Sequence, residues 1–514
     1  MEFHQARWNE PTIFERSTSG KVGHIVPKPD PEEVKAIGDV SKLVPKKLLR
    51  EKLPLLPEVS EVEVIRHYTR LSQQTYGVTL GIYPLGSCTM KYNPKINDIV
   101  TATPKLQRIH PYQDESTVQG ILQIMYELQQ YLAEITGMSK VTLQPSAGAH
   151  GEHTGTMIIR AYHKYKGELD KRKEIIVPDS AHGTNPASSA MAGFSVLVVP
   201  SDPTDGTVDV EALKSVVGPQ TAGLMITNPN TIGVFEKNIV EVSKIIHDAG
   251  GLVYYDGANM NAILGKARPG DMGFDIVHLN VHKTLSTPHG GGGPGAGPVG
   301  VVKSLEKFLP VPTVEYDKKR YYLDYDKPHS IGKMRGFYGN IAILVRSYAY
   351  ILAMGAEGLE RAAELSTLNA NYICRKVLKA KGYTLPFGPE NPRKHESVIS
   401  AEQLSKETGV RALNVAKNLL DDGLHAPTNY FPLIVHEALM IEPTETESKE
   451  ELDKFINSMI RISQEAYSNP EKVLHAPHGT TVTKIDEVKA SHPKTLCINW
   501  KTCRLASTQG STQT

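Results

Sequence analysis

From 141 to about 305 the chain alternates short apolar runs with helical stretches, and no other feature constrains its fold as strongly. Runs at 175–177, 194–199, 223–227, 252–255, 276–279 and 297–302 have the length and β-branched content of buried strands. Between them, segments such as 210–217 and 239–249 carry apolar residues at helical spacing, the second closed by Gly250-Gly251. Strands separated by helices of this size are joined by crossovers. The expectation is therefore an α/β fold, a mainly parallel sheet with helices on both faces. Ligands of such sheets gather beyond the strand ends, so the chemistry is expected in the residues that follow each run.

The remainder of the 514 residues allows two or three domains. Residues 1–75 are rich in charge and proline, with Pro27, Pro29 and Pro31 close together, and predict an extended N-terminal arm suited to subunit contacts. A helix over 119–136 should stop at Gly137. A large α/β domain is expected over 76–335. A smaller α+β domain should follow over 336–490, built from an apolar helix at 341–354, a strand at 431–435 and a helix at 449–467. Residues 491–514, with Cys497, Trp500 and Cys503, read as a polar tail. No internal repeat is evident, and the glycine cluster at 290–293 is the longest low-complexity tract.

Charge excludes some function classes. Lys and Arg number 57 against 56 Asp and Glu, a net +1, so no global field draws the chain to nucleic acid or an acidic membrane. An anionic ligand must be met by local groups. Four cysteines, Cys88, Cys374, Cys497 and Cys503, are too few and scattered for a disulfide framework or a spaced zinc site, which favours a reducing compartment. No apolar run approaches the ~18 residues of a membrane span. The start lacks a secretory pattern, and Glu2, Glu10 and Glu15 argue against a transit peptide, so a cytoplasmic protein is expected.

The strongest chemical signal is Asn280-Val281-His282-Lys283-Thr284 at a strand end, followed by Pro288, His289 and the glycines. A lysine at a cleft floor can form a Schiff base with an aldehyde cofactor when its amine is neutral, which burial and a neighbouring cation such as His282 would promote. Upstream, the run 252–255 leads into Asp256-Gly257-Ala258-Asn259. An ionised aspartate keeps the ring nitrogen of pyridoxal phosphate protonated, the condition for that ring to act as an electron sink. Ala258 is small enough to lie flat against such a ring, and Asn259 can donate to its phenolic oxygen. Ser146-Ala147-Gly148-Ala149 links a short strand to a helix running to about Tyr165, whose free N–H groups suit a phosphate. Asp179-Ser180-Ala181-His182 places an imidazole for the ring face and for proton movement at the substrate carbon, and 227–231 adds a polar turn. Each group alone is equally a turn, a cap or a structural residue. Their succession over five strand ends favours the cofactor.

That succession resembles the fold type I pyridoxal-phosphate enzymes, the aspartate-aminotransferase-like superfamily. Within it the chain resembles the glycine decarboxylase (P-protein) family of the glycine cleavage system. The likeness rests on Gly86-Ser87-Cys88-Thr89-Met90-Lys91, Phe337-Tyr338-Gly339-Asn340, His425-Ala426-Pro427-Thr428 with Tyr430-Phe431-Pro432, and the lysine and polyglycine block. It runs from Gln5-Ala6-Arg7-Trp8 to about Val488. It implies a seven-stranded-type sheet, with Lys283 and His182 as catalytic residues and Ser146, Ala147, Gly148, Ala149, His182, Asp256, Ala258, Asn259, Asn280, His282 and Lys283 around the cofactor. It further implies glycine as substrate, a lipoylated H-protein as acceptor, and a lysine-lacking first subunit as partner in a two-plus-two heterotetramer. Tyr83, Arg346 and His425 are nominees for the substrate carboxylate. The 86–91 loop and the glycine cluster are candidate channel walls, and Cys88 is either redox-sensitive or buried and inert.

Other readings stay open at this point. An aminotransferase or a cysteine desulfurase would share the constellation, and a non-catalytic scaffold subunit would keep the fold without the chemistry. Gly290 to Gly295 fits a dinucleotide pattern but precedes a strand where a helix is required. His150-Gly151-Glu152-His153 lacks zinc-protease spacing, so no metal is expected.

Overall fold

In the computed structural model, residues 6, 8–23, 26–52, 54–289 and 295–493 are described. The glycine cluster, Cys497, Trp500, Cys503 and most of the expected tail lie outside them.

Seven strands form one sheet: β1 (Lys140–Thr142), β2 (Glu174–Pro178), β3 (Ser195–Val199), β4 (Thr221–Ile226), β5 (Leu252–Gly257), β6 (Ile276–Leu279) and β7 (Val299–Val301). Their order is β1-β7-β6-β5-β4-β2-β3, and only β7 runs antiparallel to its neighbours. The pairs β2/β3, β2/β4, β4/β5 and β5/β6 are parallel. β4 and β5 are buried along their whole length, as central strands covered on both faces must be. β3 stands at the edge and leaves Val198 exposed.

Helices cover both faces. Gln119–Thr136 buries Ile121, Leu122, Met125, Leu128 and Leu132, and it ends at Gly137 in the left-handed conformation (φ 69°), the stop the sequence predicts. Its apolar stripe joins β4, β5 and the helix Ile341–Val377 in one core, while Ile158 and Ile159 of the helix Gly148–Tyr165 pack into a second core on the other face. Ile341–Val377 is long and apolar enough to cross a membrane by composition alone. It is instead two arms meeting at Gly355 (φ 61°, ψ −177°), and Ile343, Leu344, Val345, Ile351 and Leu359 lie in the core. The first arm is the helix expected at 341–354.

A hairpin, β8 (Thr313–Tyr316) with β9 (Tyr321–Asp324), follows the sheet and has no counterpart among the sequence expectations. A smaller antiparallel sheet has the order β10-β12-β11, with β10 Ser397–Ser400, β11 Thr428–Asn429 and β12 Ala438–Ile441. Helix Lys449–Ser468 packs there around a separate core of Phe455, Met459 and Ile462. The strand expected at 431–435 is absent. Pro432 has no N–H for a ladder, and the segment turns so that Val435 packs against Ile232 and Val234.

By compactness, Gly77–Leu420 and Leu424–Leu474 form one unit, so the expected 76–335 domain and most of the expected 336–490 domain share it, while 421–423 and 475–490 fall outside it. The described residues of Met1–Tyr76, Asp421–Gly423 and the stretch from His475 form the other. That second unit is more than an extended arm. Helix Glu61–Gln73 starts at a reciprocal Ser60/Glu63 cap, and Glu10 accepts hydrogen bonds from Arg16 (2.6 Å) and Arg70 (3.1 Å) and pairs with His67 (2.7 Å).

Candidate active site

The strand ends of the larger unit open on one cavity of about 360 Å³, a volume suited to a small cofactor and substrate. Lys283, Asp256, Ala258, His182, Thr227 and Ala147 are among its lining residues. Lys283 sits four residues beyond β6, in a turn held by its own N–H to the Asn280 carbonyl (2.9 Å). Two further bonds bolt the turn down. The Met260 N–H donates to Thr284 Oγ1 (2.8 Å), and Lys91 Nζ donates to the Thr284 carbonyl (2.7 Å).

Asp256 lies within β5 and is 2% exposed. Burial alone would raise its carboxyl. The neighbouring His278, the Asn185 amide (2.8 Å), the Ala258 N–H (3.1 Å) and the Lys283 charge outweigh that and bring it below the ordinary carboxylate range. His278 stands opposite on β6 and pairs with Tyr254 OH (2.7 Å). Burial holds its imidazole down to about 4, so at neutral pH it is uncharged, and the Asn185 amide and the Ala258 N–H remain as the hydrogen-bond donors to the carboxylate. Glu152 is the converse case, pushed up to about 8 by burial and then by Asp256, although Thr184 (2.6 Å), Asn185 (3.2 Å) and Ser188 (3.3 Å) donate to it. One buried carboxyl is ionised and its neighbour protonated.

The helix Gly148–Tyr165 begins at the cavity, and Ala147, Gly148 and Ala149 line it. Its N-cap, Ala147, has no capping side chain, so first-turn N–H groups and the positive end of the dipole are left for an anion. Gly148 leaves room there for the Asn280 side chain. A Cβ would stand 2.4 Å from Asn280 Oδ1. Ser146 departs from expectation: it does not line the cavity, because its hydroxyl and its N–H both engage His150 Nδ1 (3.1 and 3.2 Å), one turn into the helix.

Other expected residues divide between cavity and scaffold. Asn280 and His282 line the cavity, and Asn280 Oδ1 and His282 Nδ1 are buried without a partner among the described residues. The expected cationic role of His282 does not hold. Burial, and then the Lys283 charge, keep its imidazole down to about 3, hence neutral. His182 lines the cavity with Nδ1 against Thr184 Oγ1 (2.8 Å) and its ring edge-on to Phe431, and desolvation lowers its pKa. Asn259 lines the cavity too, yet its amide already donates to Thr89 Oγ1 and to Glu442 Oε1 (2.6 Å), so it has no N–H left for a ring oxygen.

The carboxylate nominees stand apart. Arg346 pairs with Asp98 (2.9 Å), and Tyr83 and His425 stack on each other at 3.7 Å; none of the three is among the lining residues. Cys88 does line the cavity, but burial, with Glu442 and Glu396, pushes its thiol up against the opposing Lys283 charge, so the thiolate is disfavoured.

Sequence reasoning missed Asn185, His278, His395 and Glu396, and it weighed Glu152 only as a metal ligand. One signal was present. His278 interrupts an otherwise apolar buried strand, and a polar residue in such a run needs a partner.

The residues fit pyridoxal phosphate. An uncapped helix start would hold a phosphate, an ionised buried carboxylate a protonated ring nitrogen and a lysine the aldehyde, and unpartnered Asn280, His282 and Thr227 atoms would supply hydrogen bonds. Known proteins give the same picture. Residues 33–319 match the family described as "Glycine cleavage system P-protein", and 362–478 match "Glycine dehydrogenase, C-terminal domain". A "Probable glycine dehydrogenase (decarboxylating) subunit 2" of Pyrococcus abyssi is 62% identical over 501 residues, covering 97% of each chain. The protein of the same name in Thermococcus kodakarensis is 61% identical over 511 residues, 99% of each. Among solved structures, an inhibitor-bound glycine decarboxylase (P-protein) of the glycine cleavage system is similar at TM-score 0.70 and 20% identity, covering 85% of this chain and 100% of that one. A NifS-like protein follows at TM-score 0.58 and 17% identity, covering 75% and 99%. By the full-length identity and the family match, the chain belongs to the glycine cleavage system P-protein family.

Proposed function

We propose that this chain is the lysine-bearing subunit of a decarboxylating glycine dehydrogenase, which removes CO₂ from glycine and passes the aminomethyl group to the oxidised lipoyl arm of a small carrier, the H-protein. One observation carries the reading: about 60% identity over nearly the whole chain to proteins bearing that name, in a chain whose Lys283 and Asp256 line one cavity.

The bound pyridoxal phosphate supplies an aldehyde for the substrate amine and a cationic ring that accepts the electron pair left by departing CO₂. This chain's residues do the rest. Lys283, which lines the cavity, would hold the aldehyde and give it up to the substrate amine. The ionised Asp256 keeps the ring nitrogen protonated, while the protonated Glu152 beside it adds no second negative charge. The N–H groups of the first turn at Gly148 and Ala149 would anchor the phosphate, and His182, in the same cavity wall, would move a proton at the substrate carbon. Ser87, Cys88, Glu396 and His289 line the same cavity and would limit the water that reaches the substrate carbon.

The name "subunit 2" of the relatives supports a partner, which we take to be a homologous first subunit in a two-plus-two assembly. A cytoplasmic setting accompanies the proposal and is checked by cell fractionation.

The test begins with borohydride reduction of the cofactor-loaded protein and mass spectrometry of its peptides. A phosphopyridoxyl group on Lys283 is expected, and its appearance on another lysine would overturn the assignment. With the partner subunit and a lipoylated carrier, carboxyl-labelled glycine should release labelled CO₂. Lys283→Ala should lower that release by at least about 1,000-fold.

A further inference from the structure

One wall of the cavity holds a polar pair that cofactor binding does not use. His395 and Glu396, just before β10, both line the cavity and are 2% and 3% exposed. Neither ring nitrogen of His395 has a hydrogen-bond partner among the described residues. A buried imidazole with neither nitrogen paired is costly unless a ligand or a proton-transfer partner meets it. Glu396 Oε1 lies 3.7 Å from His395 Nε2, and its Oε2 accepts one bond, from the Ser87 N–H (2.8 Å).

A second carboxyl, Glu442, is beside them; one ligand atom from each of the three residues falls within 4.8 Å of the others. Glu442 is well supplied with donors: the Thr89 N–H (2.9 Å), the Thr89 hydroxyl (2.6 Å) and the Asn259 amide (2.6 Å). Two carboxyls so close and so buried do not both ionise, and the one with fewer donors keeps the proton. Burial and then Glu442 raise the Glu396 carboxyl well above its ordinary range, against the Ser87 N–H and the Lys283 charge. The remaining titratable neighbours are His395, held neutral by burial, and Cys88, held as a thiol. The cavity is thus offered a carboxylic acid O–H beside a neutral imidazole.

We propose that Glu396 is the catalytic acid that protonates the sulfur released when the carrier's cyclic disulfide is opened, and that His395 returns a proton to it from solvent. This rests on the lipoyl-transfer reading above. In that step the electron pair left at the glycine carbon by CO₂ forms the new carbon–sulfur bond. The sulfur–sulfur bond breaks, its pair passes to the second sulfur, and the Glu396 proton converts that thiolate to a thiol. The disulfide is the oxidant, the glycine carbon is oxidised, and one proton is taken up from solvent per turnover.

Glu396→Gln tests the assignment, since the amide oxygen can still accept from Ser87 while the acid is lost. In the cofactor-free full chain, the infrared difference between wild type and variant should contain the carbonyl band of a protonated carboxylic acid; an ionised-carboxylate band in its place would overturn the proposal. In the loaded complex, the visible spectral response to glycine should keep its midpoint. Thiol formation on the lipoylated carrier should fall about 100-fold, and with an aryl disulfide, whose leaving thiolate needs no proton, the deficit should shrink to within about threefold. Equal rates for variant and wild type on the lipoyl acceptor sink the Glu396 role alone, and so does a variant that has lost its response to glycine. Wild-type protein that responds to glycine yet forms no thiol overturns the lipoyl reading, and this proposal with it.

Discussion

Asp256 and Glu152 come within 4.8 Å of each other in a buried site and take opposite protonation states. The division follows from their surroundings. Asp256 has Lys283 nearby and two N–H donors, whereas Glu152 has uncharged donors and faces the Asp256 charge. The consequence for stability has a definite sign. Glu152 is raised from 4.5 to about 8 in the folded chain, so between those values the folded state binds the extra proton. Stability therefore falls as pH rises from 4.5 towards about 8 and then levels. Glu152→Gln removes that slope. Denaturant unfolding of the variant and the wild type should show the variant gaining more at about pH 8 than at about pH 5. An equal difference at both values would place the proton elsewhere.

At the scale of elements, the turn that carries Lys283 depends on a loop remote in sequence. Lys91, at the end of the 86–91 segment, is 4% exposed, pairs with Glu445 (2.6 Å) and donates to the carbonyl of Thr284, the residue after Lys283. The segment thus contributes Ser87 and Cys88 to the cavity wall and a strut beneath the lysine turn. Removing one partner of a buried pair leaves the other charge uncompensated. Lys91→Met should destabilise the larger unit by about 3–5 kcal/mol in urea unfolding. It should also weaken pyridoxal phosphate binding, read by titrating the visible band of the loaded protein. A loss of stability with unchanged cofactor affinity would make the strut a purely structural one.

For the whole molecule, the unit containing Met1–Tyr76 leaves Leu43, Leu48, Leu55 and Leu56 between 66% and 71% exposed. Such a density of apolar side chains in water is a common mark of a surface that a partner covers. Light scattering of this chain mixed with the homologous first subunit should give the mass of a two-plus-two complex. Two separate species in the mixture would refute that assembly. The same experiment on the chain alone shows what it forms without the partner.

Much of this was legible in the sequence because it depends on local order. Periodicity marked the strands and helices, Gly137 marked a helix end, and the residues after each strand named Lys283, Asp256, His182 and the Gly148 turn, since a parallel sheet carries strand ends to one edge whatever else the chain does. Tertiary structure decided what depends on neighbours distant along the chain. It engaged Ser146 with His150, committed the Asn259 amide to Thr89 and Glu442, kept His282 neutral, moved Arg346 onto Asp98, and denied 431–435 a strand through Pro432. It also brought Glu396 and Glu442, 46 residues apart, into one site with Ser87 and Lys283. The residue order determines which groups arrive at a sheet edge. Only packing determines which of them keep a proton or a free hydrogen bond, because both depend on burial and on charges supplied by other elements.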